Sequence, residues 1–362
     1  MLKKIAILSN AYPPHHIGGA ARIAALQVEI LSKAGYEVRI WSPSIDWFSA
    51  SPFTRLFFHL KDLGAREDLV NDIVVWKPDL LITHTLTGCG FGTPTAVQLT
   101  GVRWVHILHD IQLFEPSGQL TRLRPVTFWQ IFWATLRLFA FKHPHLVISP
   151  THWLLDQHRT RFLLKYHETP AEVLPNPAPS LSPVSRAKVH EPEIRLLFVG
   201  QLSRAKGSEL LRQLVKTLRI PFVLHVVGDG PERERLARTS SRIVFHGMCE
   251  QTEEVLKHMR EADVLLVPSR IHENQPTVIL EAASVQLPVI AAHRGGIAET
   301  LGPAAANMMC SPTQVESWCN AIERLLDPQI YQHQVNLMLH VAQAHDPEVY
   351  AQRFVELVTS KR

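Results

Sequence analysis

The sequence predicts an α/β chain folded as two doubly wound domains. Short apolar runs alternate with segments of helical length along most of its course, and one stretch rich in proline, serine and alanine, residues 175–192, interrupts that alternation. In addition, 362 residues exceed what a single hydrophobic core comfortably serves. With 46% hydrophobic and 19% charged residues, and no repeat or low-complexity tract, the composition is that of a globular protein.

The first domain opens with a buried-strand pattern at residues 5–9, followed by the loop Tyr12-Pro13-Pro14-His15-His16-Ile17-Gly18-Gly19. Ala21, Ala24, Ala25, Val28 and Leu31 then recur at helical spacing, and Gly35 ends that helix before a strand at 37–41. Further strands are predicted at 80–83, 104–108 and 146–149, separated by segments long enough for crossover helices. Strand and helix in such repetition form a parallel sheet covered on both faces. The first domain is therefore placed at 1–177. The linker runs from Pro175-Asn176-Pro177 to Pro192, and the second domain, 178–339, repeats the pattern. Its strands are predicted at 196–199, 223–227, 243–245, 264–267 and 289–291, with helices at 208–218 and 277–284 among the intervening segments. Ligands of such sheets bind beyond the carboxyl ends of the strands, so two domains set face to face would share a central cleft.

Met1-Leu2-Lys3-Lys4 leads into an apolar run that ends at Ser9, too short for a signal-peptide core or a membrane span, and a cytoplasmic location is expected. Cys89, Cys249, Cys310 and Cys319 lack the paired spacing of a zinc site and are expected to be thiols. The net charge of +4 lies wholly in the first half: up to Pro177 there are 17 basic and 13 acidic residues, and beyond it 20 of each. That excess suggests an anionic partner, a phospholipid surface or a phosphorylated acceptor, and no nucleic acid is expected.

The segments that carry chemistry follow strands of the second half. After residues 196–199 comes Gly200-Gln201-Leu202-Ser203-Arg204-Ala205-Lys206-Gly207 and then a helix. A glycine turn admits a ligand to the backbone, and a lysine beside a helix N-terminus favours a diphosphate. Alone, the segment reads equally as a solvated lysine on a turn. Gly228-Asp229-Gly230-Pro231-Glu232-Arg233 reads as a nucleotide contact or as a tight connection with Pro231 in the first helical turn. The most informative segment is His272-Glu273-Asn274-Gln275-Pro276-Thr277-Val278-Ile279-Leu280-Glu281-Ala282. Pro276 fits a first helical turn, which leaves Glu273 in the loop and Glu281 inside the helix. Glu281 lies between Leu280, Ala282 and Ala283, where a carboxylate needs hydrogen bonds that sugar hydroxyls could supply. A last turn, His293-Arg294-Gly295-Gly296-Ile297-Ala298-Glu299, could hold phosphate on its amides.

Taken in order, the Gly18-Gly19 loop, the His109-Asp110 pair, the Lys206-Gly207 turn, the Gly228-Asp229-Gly230 turn, the Glu273 to Glu281 segment and Gly295-Gly296 with Glu299 resemble the retaining glycosyltransferases of family 4. The likeness spans nearly the whole chain. It implies the GT-B fold, two Rossmann-like domains facing a central cleft, with residues 340–362 as a C-terminal helix that returns to the first domain. It also implies donor roles: Glu281 at the ribose, Glu273 at the hydroxyls of the transferred sugar, Lys206 at the diphosphate, and Gly295-Gly296 at sugar or phosphate. Asn274, Gln275, Pro276, Thr277 and Gly228 fall among the donor-binding positions. Gly18 and Gly19 would approach donor phosphate or acceptor, and His109, with Lys206 and Glu273, would act near the reacting centre. The family's arginine after the glycine of the lysine turn is replaced by Gln201, which leaves Arg204 as the substitute.

The resemblance favours same-face attack, in which the departing diphosphate helps take the acceptor's proton and the protein stabilises charge. No Asp-x-Asp triplet is present, so no metal and no cofactor are expected. Donor and acceptor are expected to be a nucleotide sugar and a glycan or lipid-linked molecule of polysaccharide or lipopolysaccharide synthesis. The residues between Glu115 and Asp156 contain no acid but include Arg122, Arg124, Arg137 and Lys142. Phe128, Trp129, Phe132, Trp133, Leu136 and Phe139 are expected on one helix face, either resting on an anionic membrane through 122–142 or turned to the core. A silent sugar-nucleotide-binding protein, an epimerase or a phosphorylase of the same fold, and an oxidoreductase built on the Gly228 loop are the competing functions.

Overall fold

The computed structural model describes residues 2–10, 12–13, 18–43, 52–115, 118, 120, 127–161, 169–182, 192–249 and 251–360. Residues 14–17 of the first loop, 183–191 of the linker, and Arg122 and Arg124 lie outside the described residues. The chain divides into two compact units, Met1–Pro175 with Glu348–Arg362, and Asn176–Pro347.

In the first unit the chain runs β1 (Lys4–Leu8), α1 (Gly19–Lys33), β2 (Glu37–Trp41), α2 (Pro52–Lys61), α3 (Glu67–Trp76), β3 (Leu80–Thr83), α4 (Thr93–Gln98) and β4 (Arg103–Ile107). It continues through α5 (Phe128–Phe141), β5 (Leu146–Ser149), α6 (His152–Arg161) and β6 (Ala171–Val173). The strands pair in parallel in the order β2-β1-β3-β4-β5-β6. Alternate side chains of each strand serve opposite faces. Ile5 and Ile7 join Leu31 on one side, while Ala6 and Leu8 join Ile73, Val97 and Phe141 on the other. β6 adds a strand beyond those predicted, since its three half-buried residues carry no periodicity.

The second unit runs β7 (Ile194–Val199), α7 (Ser208–Thr217), β8 (Phe222–Val227), α8 (Arg233–Ala237), β9 (Ile243–Gly247), α9 (Thr252–Glu261) and β10 (Val264–Val267). It continues through α10 (Thr277–Ser284), β11 (Val289–Ala292), α11 (Ile297–Leu301), β12 (Met309–Cys310), α12 (Val315–Arg324) and α13 (Pro328–Ala344). All its strands are parallel, in the order β12-β11-β10-β7-β8-β9. As in other doubly wound sheets, the order reverses once, on either side of β7 and β10. Leu196, Phe198 and Leu224 pack with α7 and α12; Leu197, Leu265 and Val289 pack with α9, α10 and α13.

The expected terminal helix over 340–362 is two helices. α13 ends at Ala344, and α14 (Pro347–Thr359) begins at a proline that suits a first turn but cannot continue a helix. α14 belongs to the first unit: Tyr350, Phe354 and Val358 are buried against Ile5, Ile7 and Val105, and the Gln27 amide donates to Tyr350 Oη at 2.7 Å. Among the described residues no helix is long and apolar enough to cross a membrane.

Candidate functional site

In an open parallel sheet, strand order reverses direction at one place, where the loops that follow the two adjacent strands part and leave a crevice. In the second unit that place lies between β7 and β10. Their loops carry Lys206 and Glu273, and the two side chains meet: Lys206 Nζ lies 2.5 Å from Glu273 Oε1, which also accepts from Ser269 Oγ at 2.7 Å. Glu273 is largely buried and Lys206 about one third exposed.

Two glycines permit this approach. Gly207, at φ 89°, caps α7, and a Cβ there would sit 1.9 Å from the Pro268 carbonyl oxygen. Gly295, at φ 61°, lies as close to the carbonyl of Glu273, and Gly296 N–H donates to that same oxygen at 2.9 Å. Any side chain at either position would push the loops apart. His272 Nδ1 accepts from Gly295 N–H at 3.0 Å, and its Nε2 lies 3.4 Å from the Arg294 guanidinium. Ser208, first in α7, is buried beside the lysine turn with no partner for its hydroxyl among the described residues.

The remaining predicted positions of this unit divide. Glu281 sits within α10 at 5% exposure, flanked by buried Leu280, Ala282 and Ala283. Pro276 is the residue before α10 rather than part of its first turn, and Thr277 begins the helix. Asn274 is half-buried in the same loop. Gln275 is turned to the backbone instead: its buried amide accepts from Asn176 N–H at 2.7 Å and lies 3.3 Å from His345 Nε2, bracing the start of the unit. Gly228 serves packing, since a Cβ there would sit 2.0 Å from the Gly200 carbonyl oxygen. Pro231 precedes α8 by two residues instead of entering its first turn. Arg204 is exposed and ion-paired with Glu232 at 3.2 Å.

In the first unit, order reverses between β1 and β3. Gly18 caps α1 there and is exposed, and a Cβ on it would meet nothing within 4 Å among the described residues. Gly19 begins the helix. The loop after β1 is tied to that after β3: Asn10 N–H donates to the Thr85 carbonyl at 3.0 Å, and its side-chain amide to that of Thr87 at 2.7 Å. His109, just beyond β4, meets His84, just beyond β3, with Nε2 2.8 Å from Nδ1 and the rings stacked. Burial pushes His109 down to about 4 and His84 well below the usual imidazole range, so both rings are neutral at pH 7 and one donates to the other. Asp110, whose carboxyl burial raises to about 6, accepts from Gln112 N–H at 2.8 Å. His84, Phe91, His106, His109, Asp110 and Gln112 line a small cavity at this edge. His84 is not legible in the sequence because a lone histidine after a strand carries no signal, and only the fold brings it to His109.

Two family models match the chain: Glycosyltransferase Family 4 over residues 17–179 and Glycosyl transferases group 1 over residues 193–328. The chain belongs to the family 4 glycosyltransferases. The 2-deoxystreptamine glucosyltransferase of Streptomyces kanamyceticus is 26% identical to this glycosyltransferase over 289 residues, which are 70% of this chain and 69% of that protein. Among solved structures, sucrose-phosphate synthase from Thermosynechococcus elongatus superposes with a TM-score of 0.77 over 98% of each chain at 20% identity. Anabaena HepE, in complex with UDP, superposes at 0.71 over 98% of this glycosyltransferase and 99% of its own chain, at 16% identity. The fold of both units is thereby GT-B.

Proposed function

We propose that this glycosyltransferase moves a sugar from a nucleotide diphosphate to a glycan or lipid-linked acceptor with retention of configuration. Its place would be cell-surface polysaccharide or glycolipid synthesis, in the cytoplasm at the inner, anionic face of a membrane. The observation that carries the proposal is the contact of Lys206 with Glu273 at the reversal point of the second sheet. A cation beside a helix start suits a diphosphate, and Ser208 offers an unengaged hydroxyl at the same turn. When a donor arrives, Lys206 exchanges the carboxylate for diphosphate oxygens, and Glu273 turns its oxygens to sugar hydroxyls. Glu281 takes the ribose hydroxyls, and the Gly295-Gly296 turn the sugar or phosphate.

As the bond to the diphosphate breaks, negative charge grows on the leaving oxygen and positive charge on the sugar ring. Lys206 stabilises the first, and His109, which the family resemblance assigns to the reacting centre, is a neutral ring that can offer a hydrogen bond without adding a like charge. The leaving oxygen takes the acceptor hydroxyl's proton, and the new bond forms on the same face. Charge stabilisation by Lys206 and the amide turns is expected to make the reaction independent of metal, so chelation with EDTA should leave turnover unchanged.

The deciding test incubates the protein with UDP-, GDP- and ADP-sugars, with and without membrane extract, and follows free nucleotide and the anomeric configuration of the product. Release that needs extract and Glu281, with the donor's configuration kept in the product, supports transfer. Binding without release from any donor supports a silent nucleotide-sugar-binding protein instead. The Arg204 ion pair with Glu232 favours that second possibility, because Arg204 must leave Glu232 to act where Gln201 carries no charge.

A further inference from the structure

The outward side of α5 is built against the usual rule for a surface helix. Its buried residues include Gln130 and Arg137, while Phe128, Trp129, Ile131, Phe132 and Phe139 point outward. Two expectations for this segment fail: Trp133, expected on the face with Phe128, Trp129, Phe132, Leu136 and Phe139, is buried, and Arg137, expected among the basic residues of the stretch, is buried under it with its guanidinium over the Phe91 and Trp133 rings. Arg137 therefore contributes no surface charge. Trp133, Ala134 and Phe141 supply an ordinary buried side, but five large apolar groups stand outward as well, where an amphipathic surface helix carries polar residues.

The neighbouring α2 extends this surface. His59 contacts Trp133 with ring centroids 5.9 Å apart, and Phe57 and Leu60 on the same helix are exposed. Together the two helices hold seven of the fourteen exposed large apolar side chains among the described residues, each between 40% and 83% exposed. Single exposed apolar residues are ordinary on a protein surface, whereas half of them gathered on two touching helices mark an interaction site. Fixed helix geometry supports the patch: Thr127 and Gln130 form a capping box, and the Gln130 amide donates to Glu115 at 2.9 Å.

We infer that the α2 and α5 surface is the face by which this protein lies on a bilayer containing anionic phospholipid. The occupant is chosen by charge. Residues 47–61 and 116–155 contain no aspartate or glutamate, and the exposed Lys61 and Lys142 stand at the C-terminal ends of the two helices. An interfacial helix wants this composition, with phenylalanine, tryptophan and isoleucine at acyl-chain depth and cations at the headgroups. A second copy of the chain would cover the apolar residues equally well but gives no reason for the acid-free flanks. At roughly 21 Å, α5 is long enough to lie in the interface and too short to span it. The inference deepens the proposed function in its lipid-linked acceptor. Partition onto lipid is read without donor or acceptor, so failure of transfer and failure of docking are separate results.

The experiment is co-sedimentation of the full chain with vesicles of phosphatidylcholine, with and without phosphatidylglycerol. Binding is expected to rise with phosphatidylglycerol and fall with salt. The variant F128S/F132S/F139S is expected to lose about ten-fold or more in partition while keeping its circular dichroism spectrum and donor binding. K61Q/K142Q is expected to lose about five-fold or more, on anionic vesicles only. Equal partition of the triple serine variant and the unaltered chain overturns the inference. So does a chain that ignores vesicles but forms a dimer dispersed by the triple substitution, which would assign the face to a second copy.

Discussion

The two units hold their chemistry in opposite electrical states. At the reversal point of the second sheet, Lys206 and Glu273 stand charged in contact, within loops drawn together by Gly207 and Gly295. At the corresponding edge of the first sheet, His84, His106 and His109 are kept neutral by burial. Charge suits a partner that carries charge of its own, and a neutral imidazole suits hydrogen bonding beside a carbon that becomes positive. The same architecture thus supports two kinds of site, one built on a pair of opposite charges in contact and the other on desolvated imidazoles.

The largest effects are expected at the charged pair. Lys206→Ala is expected to lower kcat by roughly 10²- to 10³-fold, as removal of a preorganised charge does elsewhere. Glu273→Gln should act similarly, with nucleotide release as the measurement. If both variants keep full turnover, the charged site is not where the donor reacts. The next effect is on folding: Gly295→Ala must move a carbonyl that would lie 1.9 Å from the new Cβ and is expected to cost about 3 kcal/mol or more, read from urea unfolding. A surface glycine with open surroundings, such as Gly101, lacks that clash and controls for it.

Acid weighs more on the first unit, since the histidines that burial pushes down in the second, His225, His246 and His345, are half-buried or exposed. Fully buried His158 is pushed down to about 4, so the unfolded chain takes its proton first; the stability it contributes is complete above pH 6.5 and falls as pH drops from 6.5 toward 4. Between pH 7 and 5 that loss is about 2 kcal/mol for this histidine. His59, His84, His106 and His109 shift in the same direction. Asp62 and Asp110, whose carboxyls burial raises to about 6, gain stability over part of the same range, but five histidines outweigh two carboxyls. Hydrogen exchange at pH 5 is therefore expected to show β3 and β4 opening before β7 and β10; the reverse order would contradict this account of the histidines.

Smaller changes sharpen the contrast. His84→Phe should lower kcat by about ten-fold with little change in KM if His109 acts as proposed, because His84 holds the His109 ring through the 2.8 Å contact. His84→Asn, which can still offer a hydrogen bond, should recover part of that loss. Gln201→Arg is expected to raise turnover only a few-fold, through one more cation near the leaving diphosphate. No gain from that substitution would mean that Arg204 already leaves Glu232 when a donor binds.

Much of this is legible before folding is considered. The alternation of short apolar strands with helices determines two parallel sheets, since strands buried on both faces must be apolar along their length. Gly200, Lys206 and Gly207 after β7 and Glu273 after β10 single out two loops, which the structure brings together at the point where strand order reverses. Glu281 among Leu280, Ala282 and Ala283 is recognisable as a carboxylate bound for burial. Local order carries these signals, and sequence reads local order directly. Tertiary structure alone decides the rest. Lys206 and Glu273 meet across 67 positions, His84 and His109 across 25, and Gln275 is turned to a backbone amide of residue 176. The face that α5 presents outward is decided the same way, by Arg137 lying over the Phe91 and Trp133 rings and donating to the Gln112 carbonyl, and by Trp133 meeting His59. A helical period says which residues share a side. Which side is buried depends on neighbours that only the folded chain supplies.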